Sequence, residues 1–198
     1  MPRAGLDPVA VVAAGAVLAD EVGFTGLTMG LLAERVGVRT PSLYKHVESL
    51  DALRHGISVQ ATREIGEVVA RAAVGRSGPD AVRAIADAYR RWVLDHPGRY
   101  AATVRAPAAD DEEGHRAGDE ALQVFLDVLD GFGLHGAQAI DAARMLRSAL
   151  HGFVDLESAG GFGLPRDITR SFSFLVDTLI AGLRADDSRP VHATEGPS

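Results

Sequence analysis

The chain has 198 residues, no cysteine, and 20 basic against 27 acidic side chains, giving a formal net charge of −7. That length can bury one large core or two small ones, and the lack of cysteine excludes disulfides and thiolate metal sites and fits a reducing, cytoplasmic setting. The negative balance argues against a protein that coats nucleic acid regardless of sequence, but not against a reader whose positive charge is local.

The first element is an apolar run from Pro8 to Ala19. It is too short to span a bilayer and follows Asp7 as well as Arg3, so it is expected to be a packing helix and not a secretory leader, with no membrane association. From Gly26 to Val47 the chain reads GLTMGLLAERVGVRTPSLYKHV. Thr28 can cap a helix whose apolar positions Leu32, Ala33 and Val36 fall at helical spacing, and Gly37 can end it in the left-handed conformation. Thr40 and Pro41 restart the chain: threonine offers a side-chain oxygen to the free N–H groups, and proline loses a donor that has no helical partner there. The second helix, Thr40 to Val47, is held by Leu43 and Val47, which leaves Thr40, Pro41, Ser42, Tyr44, Lys45 and His46 for its other sides and its N-terminal end. At ~1.5 Å of rise per residue it is about 12 Å long, matching the width of a major groove. Two short helices joined by a glycine turn, the second polar and positive, form the pattern of a DNA-reading helix-turn-helix. Lys45 is the only lysine among the 20 basic residues, and a point charge there suits a phosphate or a guanine edge. Arg35, Arg39, Lys45 and Arg54 outnumber Glu48 and Asp51 across this region.

A connecting helix is expected from Ser49 to about Ala73, broken by the Gly75 to Pro79 run. Val82, Ile85, Tyr89 and Trp92 then recur at helical steps until His96-Pro97-Gly98, and a short helix follows from Arg99 to Ala106. Residues 107–118 are acidic, rich in alanine and glycine, and unpatterned, which predicts a loop. Leu122, Phe125, Leu126 and Leu129 predict one buried face for a helix over 120–132. Two long helices, over 137–158 and 166–184, complete the fold, and the tail over 185–198 is expected to be disordered. The prediction is all-α: an N-terminal three-helix DNA-binding domain over 1–56, then a larger helical domain over 57–184 for ligand binding and dimerisation.

The segment from Leu6 to Gly56 resembles the DNA-binding domain of TetR-family transcriptional regulators through Gly26, Leu27, Thr28, Leu32, Ala33, Val36, Gly37, Val38, Ser42, Leu43, Tyr44 and His46. The resemblance implies that Thr40, Pro41 and Tyr44 touch bases or the adjoining backbone and that Thr28 and Ser42 touch phosphates. It departs at Leu50, where family members commonly carry a phosphate-binding lysine, and at Gly30, where a longer polar side chain is common. DNA affinity then leans on Arg39, Lys45 and the arm before the first helix. The C-terminal half resembles the WHG-type domain of some TetR regulators through Leu150-His151-Gly152-Phe153 and Leu156-Glu157, without that domain's tryptophan.

The last two helices are apolar on two sides, which requires a second partner surface beyond their own core. A two-fold interface between subunits supplies one, with Leu150, Phe153, Phe172, Leu175, Leu179 and Leu183 as candidates. Tyr89, Trp92, Tyr100 and Phe125 are candidates to line a small-molecule cavity. His151 reads first as a hydrogen-bonded core or interface histidine and second as a ligand contact. No metal-ligand spacing, nucleophile elbow or phosphate loop is present, so no catalytic residue, metal or cofactor is expected. The expected function is a homodimeric repressor that binds a near-palindromic double-stranded DNA operator and is released by a small-molecule effector. A helical protein-interaction module without DNA binding, and behind it a helical-bundle enzyme, remain open.

Overall fold

The computed structural model describes residues 6–186, so the expectation of a disordered tail lies outside the described residues from position 187 onward. The described residues form nine helices: α1 (Pro8–Val22), α2 (Met29–Val36), α3 (Thr40–Leu43), α4 (Leu50–Ala73), α5 (Gly78–Asp95), α6 (Pro97–Ala102), α7 (Glu112–Asp130), α8 (Gly136–Ser158) and α9 (Ile168–Asp186). Among them no helix is long and apolar enough to cross a membrane.

Local chemistry sets most of the boundaries. The Asp7 carboxylate accepts the Ala10 N–H at 2.7 Å, with Pro8 in the first turn of α1. Ser49 does the same for α4, its hydroxyl accepting the Ala52 N–H at 3.0 Å. Two expectations fail. The short middle helix begins at Pro97 and ends at Ala102, because His96-Pro97-Gly98 starts a helix as soon as it ends one, with proline in a first turn that needs no donor from it. Residues 112–118 are helical and not loop. There the Asp111 carboxylate accepts the Gly114 N–H at 2.8 Å, and Glu112 and Glu113 sit at the positive end of the α7 dipole. Gly114 is packed and not loose, since a Cβ on it would lie 2.8 Å from the Pro107 Cβ.

Two clusters of buried side chains organise the chain. The first joins Val11 and Leu18 of α1, Leu32 of α2, Leu43 of α3 and Leu53 and Ile57 of α4, and it also takes in Ala102 of α6. The second gathers Ile85, Tyr89 and Trp92 of α5, Leu129 of α7, Leu146, Leu150 and Val154 of α8, and Phe172, Val176, Ile180 and Leu183 of α9. Helix α4 belongs to both, through Leu53 and Ile57 at one end and Ala61 and Val69 further along.

One ion pair ties α5 to α8. Arg90 meets Glu157 with both groups mostly shielded, Nε donating to Oε2 at 2.8 Å and Nη2 to Oε1 at 2.5 Å, and its guanidinium lies 5.0 Å from the Phe172 ring centre. The hydrogen bond to Glu157 holds the arginine pKa above its ordinary value. Arg90→Ala strands the carboxylate and should lower stability by on the order of 3 kcal/mol, whereas Arg90→Met with Glu157→Met should recover most of the loss. Urea midpoints distinguish these outcomes; a single variant within error of wild type would show that water already screens the pair.

Candidate DNA interface and effector cleft

The helix-turn-helix is built by two caps. Thr28 Oγ1 accepts the Leu31 N–H at 3.2 Å, and Gly37 at φ 72° closes α2 by donating its N–H to the carbonyls of Ala33 and Glu34. The second helix is shorter than expected. It is helical only over Thr40–Leu43 and continues as a turn, with the N–H groups of His46 and Val47 both reaching the Leu43 carbonyl at 2.8 and 3.0 Å. A short helix forms only where packing holds it, and Leu43 and Val47 are its only buried residues. Thr40 is also not the cap: it is the first helical residue, Arg39 precedes it, and no side chain caps this N-terminus.

Burial of Leu43 and Val47 turns Pro41, Tyr44 and Lys45 outward, with Arg39 exposed beside them and Thr40, Ser42 and His46 half-buried. The local charge is narrower than the sequence count suggests. Arg35 is engaged by Glu21 of α1, while Arg54 donates to the carbonyls of Thr25 and Leu27 at 3.4 and 3.5 Å and lies 3.8 Å from Asp51. Arg39 and Lys45 are left with no carboxylate partner among the described residues. Leu50, the first residue of α4, is half-buried against the first cluster, which accounts for an apolar residue there.

Beyond the reading head, α4, α6, α7 and α8 enclose an open cleft of about 1640 Å³ that reaches back toward α1. Tyr89, Tyr100, Phe125 and His151 all line it. Trp92 does not: it is buried in the second cluster with its ring edge 5.3 Å from His96, an ordinary core aromatic. Leu122, expected on the buried face of its helix, instead stands exposed at the cleft wall. The tyrosines and the histidine form a chain, with 2.5 Å between the hydroxyls of Tyr89 and Tyr100 and 2.6 Å from Tyr100 Oη to His151 Nδ1. Its direction follows from satisfaction of the buried donor. Tyr89 has no acceptor among the described residues other than Tyr100, so Tyr89 donates to Tyr100 and Tyr100 donates to Nδ1. Burial pushes both phenols above their ordinary pKa. His151 is thus both a hydrogen-bonded histidine and a cleft residue.

Helix α6 joins the cleft to the head. A Cβ on Gly98 would fall 1.9 Å from the Ala19 carbonyl oxygen, so α6 and α1 touch backbone to backbone. The Arg99 N–H donates to Asp20 Oδ1 at 2.8 Å, its Nε lies 2.8 Å from Asp20 Oδ2, and its Nη1 lies 3.0 Å from Glu64. Ser58 donates its hydroxyl to the Ala102 carbonyl at 2.8 Å. Between Gly98 and Ala102, Tyr100 faces the cleft. Sequence reasoning missed these contacts because nothing local marks them: Gly98 reads as a helix breaker, and Asp20 and Arg99 are 79 positions apart.

The candidate dimer residues need a correction. Leu150, Phe172 and Leu183 are fully inside the chain's own core, and Phe153, Leu175 and Leu179 are half-buried, Phe153 and Leu179 packing against that core. Periodicity shows that α8 and α9 have two apolar sides, but not which one turns inward. The outward side carries Met145 and Leu156 on α8 and Phe174 on α9, with open space where a Cβ would stand on Gly152 and Gly182.

Residues 82–179 match the family described as Tetracyclin repressor-like, C-terminal domain. The chain is 40% identical over 165 residues to the HTH-type transcriptional regulator Rv0681 of Mycobacterium tuberculosis, covering 83% of this chain and 75% of that protein. It is 32% identical over 183 residues to the HTH-type transcriptional regulator YobS of Bacillus subtilis, covering 92% and 95%. Among solved structures, a TetR variant from Acinetobacter baumannii in complex with minocycline superposes with a TM-score of 0.71 at 24% identity, over 93% of this chain and all of that one.

Proposed function

This chain belongs to the TetR family of transcriptional regulators, and we propose that it is a dimeric repressor whose grip on an operator is set by a small molecule in the α4–α8 cleft. One observation carries the proposal: α6 presents Tyr100 to the cleft while Gly98 and Ala102 of the same helix are embedded against the head. A ligand that displaces Tyr100 therefore moves the surface on which α1 rests. It shifts the equilibrium only by its difference in affinity for the two positions of α6. In the bound form two α3 segments read successive major grooves of a near-palindrome, with half-site centres about 34 Å apart. The protein acts on cytoplasmic DNA and has no catalytic role. Gel shift on the DNA flanking its own gene tests the reading directly: a retained band lost on adding effector supports it, and no retention at any concentration sinks it.

Within the head, Tyr44→Ala and Lys45→Ala should each weaken operator binding about tenfold or more and leave the fold intact, since Leu43 and Val47 hold the segment. If Lys45 lies on a phosphate, its loss lowers the slope of log affinity against log salt by about one unit across all sequences; a base contact instead relaxes specificity at one position. Unchanged titrations for both variants would remove α3 from the interface.

A further inference from the structure

We propose that the effector is an amphipathic anion: an apolar body carrying one carboxylate or comparable acidic group, which docks between Arg147 and His151 of α8. The inference rests on the cleft being the effector site. The cleft has two unlike walls. Leu122 and Phe125 of α7 face it together with Ile65 and Val69 of α4, and these offer no polar group. The α8 wall is polar, with Arg147, His151 and Asp155 following one another at steps of four residues and so sharing one face.

Two donors on that wall lack an acid. Tyr100 donates to Nδ1 of His151, so the neutral imidazole carries its proton on Nε2, which has no protein acceptor among the described residues. Arg147 donates only to the Thr103 carbonyl, at 3.2 Å, and has no carboxylate partner among the described residues. Its charge is near enough to the phenols of Tyr89 and Tyr100 to oppose the effect of burial on both. Most other charged groups of the cleft are already engaged. Asp20 is held by Arg99, Asp111 by His55 at 2.9 Å, and Arg54 by Asp51 and two carbonyls. Asp155 follows His151 on the same wall, so the acidic group is placed toward Arg147 and not toward the Ser158 end. A cation finds no free carboxylate on the Arg147 side, and a wholly apolar molecule leaves both donors desolvated without an acceptor.

The same site places the ligand against the coupling helix. An acid accepting from Nε2 of His151 fixes the ring whose other nitrogen holds Tyr100, and Tyr100 belongs to α6. The head group thus acts directly on the hydrogen bond that positions α6.

Two fluorescent probes with one aromatic frame separate the possibilities: anilinonaphthalene sulfonate, which is an anion, and phenylnaphthylamine, which is neutral. Both are titrated into the full chain, into Arg147→Gln and into Leu122→Trp, which fills the apolar wall. The expected result is that the sulfonate binds about tenfold tighter than the neutral probe, that Arg147→Gln removes this margin while sparing the neutral probe, and that Leu122→Trp weakens both. Equal affinities in wild type, or a margin that survives in Arg147→Gln, overturns the anionic class while leaving the cleft as the binding site. Failure of both probes to bind, or binding untouched by Leu122→Trp, overturns the cleft reading and this inference with it.

Discussion

Gly98→Ala should be among the most damaging single methyl additions in this protein, and it should harm operator binding more than it harms the fold. A Cβ there lies 1.9 Å from the carbonyl oxygen of Ala19 and 2.5 Å from the amide nitrogen of Asp20, both backbone atoms that no rotamer change can move. Helix α6 has to lift away from α1 by more than an ångström, and with it go the bonds from Arg99 to Asp20 and from Ser58 to Ala102. Forcing atoms into a packed contact costs about 1–3 kcal/mol, which in a chain of this size lowers the melting temperature by roughly 5 °C. Operator affinity should fall by more than tenfold, because the head is re-seated at an angle the second half-site does not match. Gly118→Ala is the matched control, since it is also helical and its Cβ meets nothing within 4 Å. It should leave melting unchanged or raise it slightly. If Gly98→Ala melts and binds like wild type, the junction relaxes freely and α6 does not couple the cleft to the head.

The contrast between those two glycines shows what the sequence could disclose. Caps are local: Thr28 is three residues from the amide it accepts, Gly37 closes the turn it ends, and Ser49 starts α4, so these elements were legible. Gly98, Gly114 and Gly118 look alike along the chain, yet the first meets backbone across the domain junction, the second packs on Asp111 and Pro107, and the third meets nothing. That difference exists only once α1, α6 and α7 are assembled. The cleft was half legible for the same reason. Tyr89, Tyr100 and His151 share it, but spacing alone could not separate Tyr89 from Trp92, three residues further along α5 and turned into the core. Arg147 carried no signal, because an arginine on a helix is ordinary until its partners are counted.

The proposed two-fold contact makes the second large prediction, and the structure moves it to residues the periodicity did not favour. Phe174 is 76% exposed and Leu156 52%, on the outward faces of α9 and α8. At helical spacing Phe174 shares its face with Gly182, and Leu156 shares its face with Met145 and Gly152, so the large apolar groups flank positions where another backbone can approach closely. Phe174→Arg puts a charge on this face, where a partner helix would have to desolvate it unpaired. The variant should stay folded, sediment as a monomer at micromolar concentration, and lose operator affinity by on the order of 100-fold, because each head then holds its half-site alone. Leu183→Arg makes the complementary test. Leu183 is 2% exposed and packs in its own chain's core, so that variant should lose cooperative unfolding rather than yield a folded monomer. A folded Leu183→Arg monomer, or a Phe174→Arg protein that remains dimeric with full operator affinity, would return the contact to the inner stripe or move it off these helices. A wild-type chain that is monomeric at micromolar concentration would remove the two-fold arrangement, and with it the reason to expect a palindromic operator.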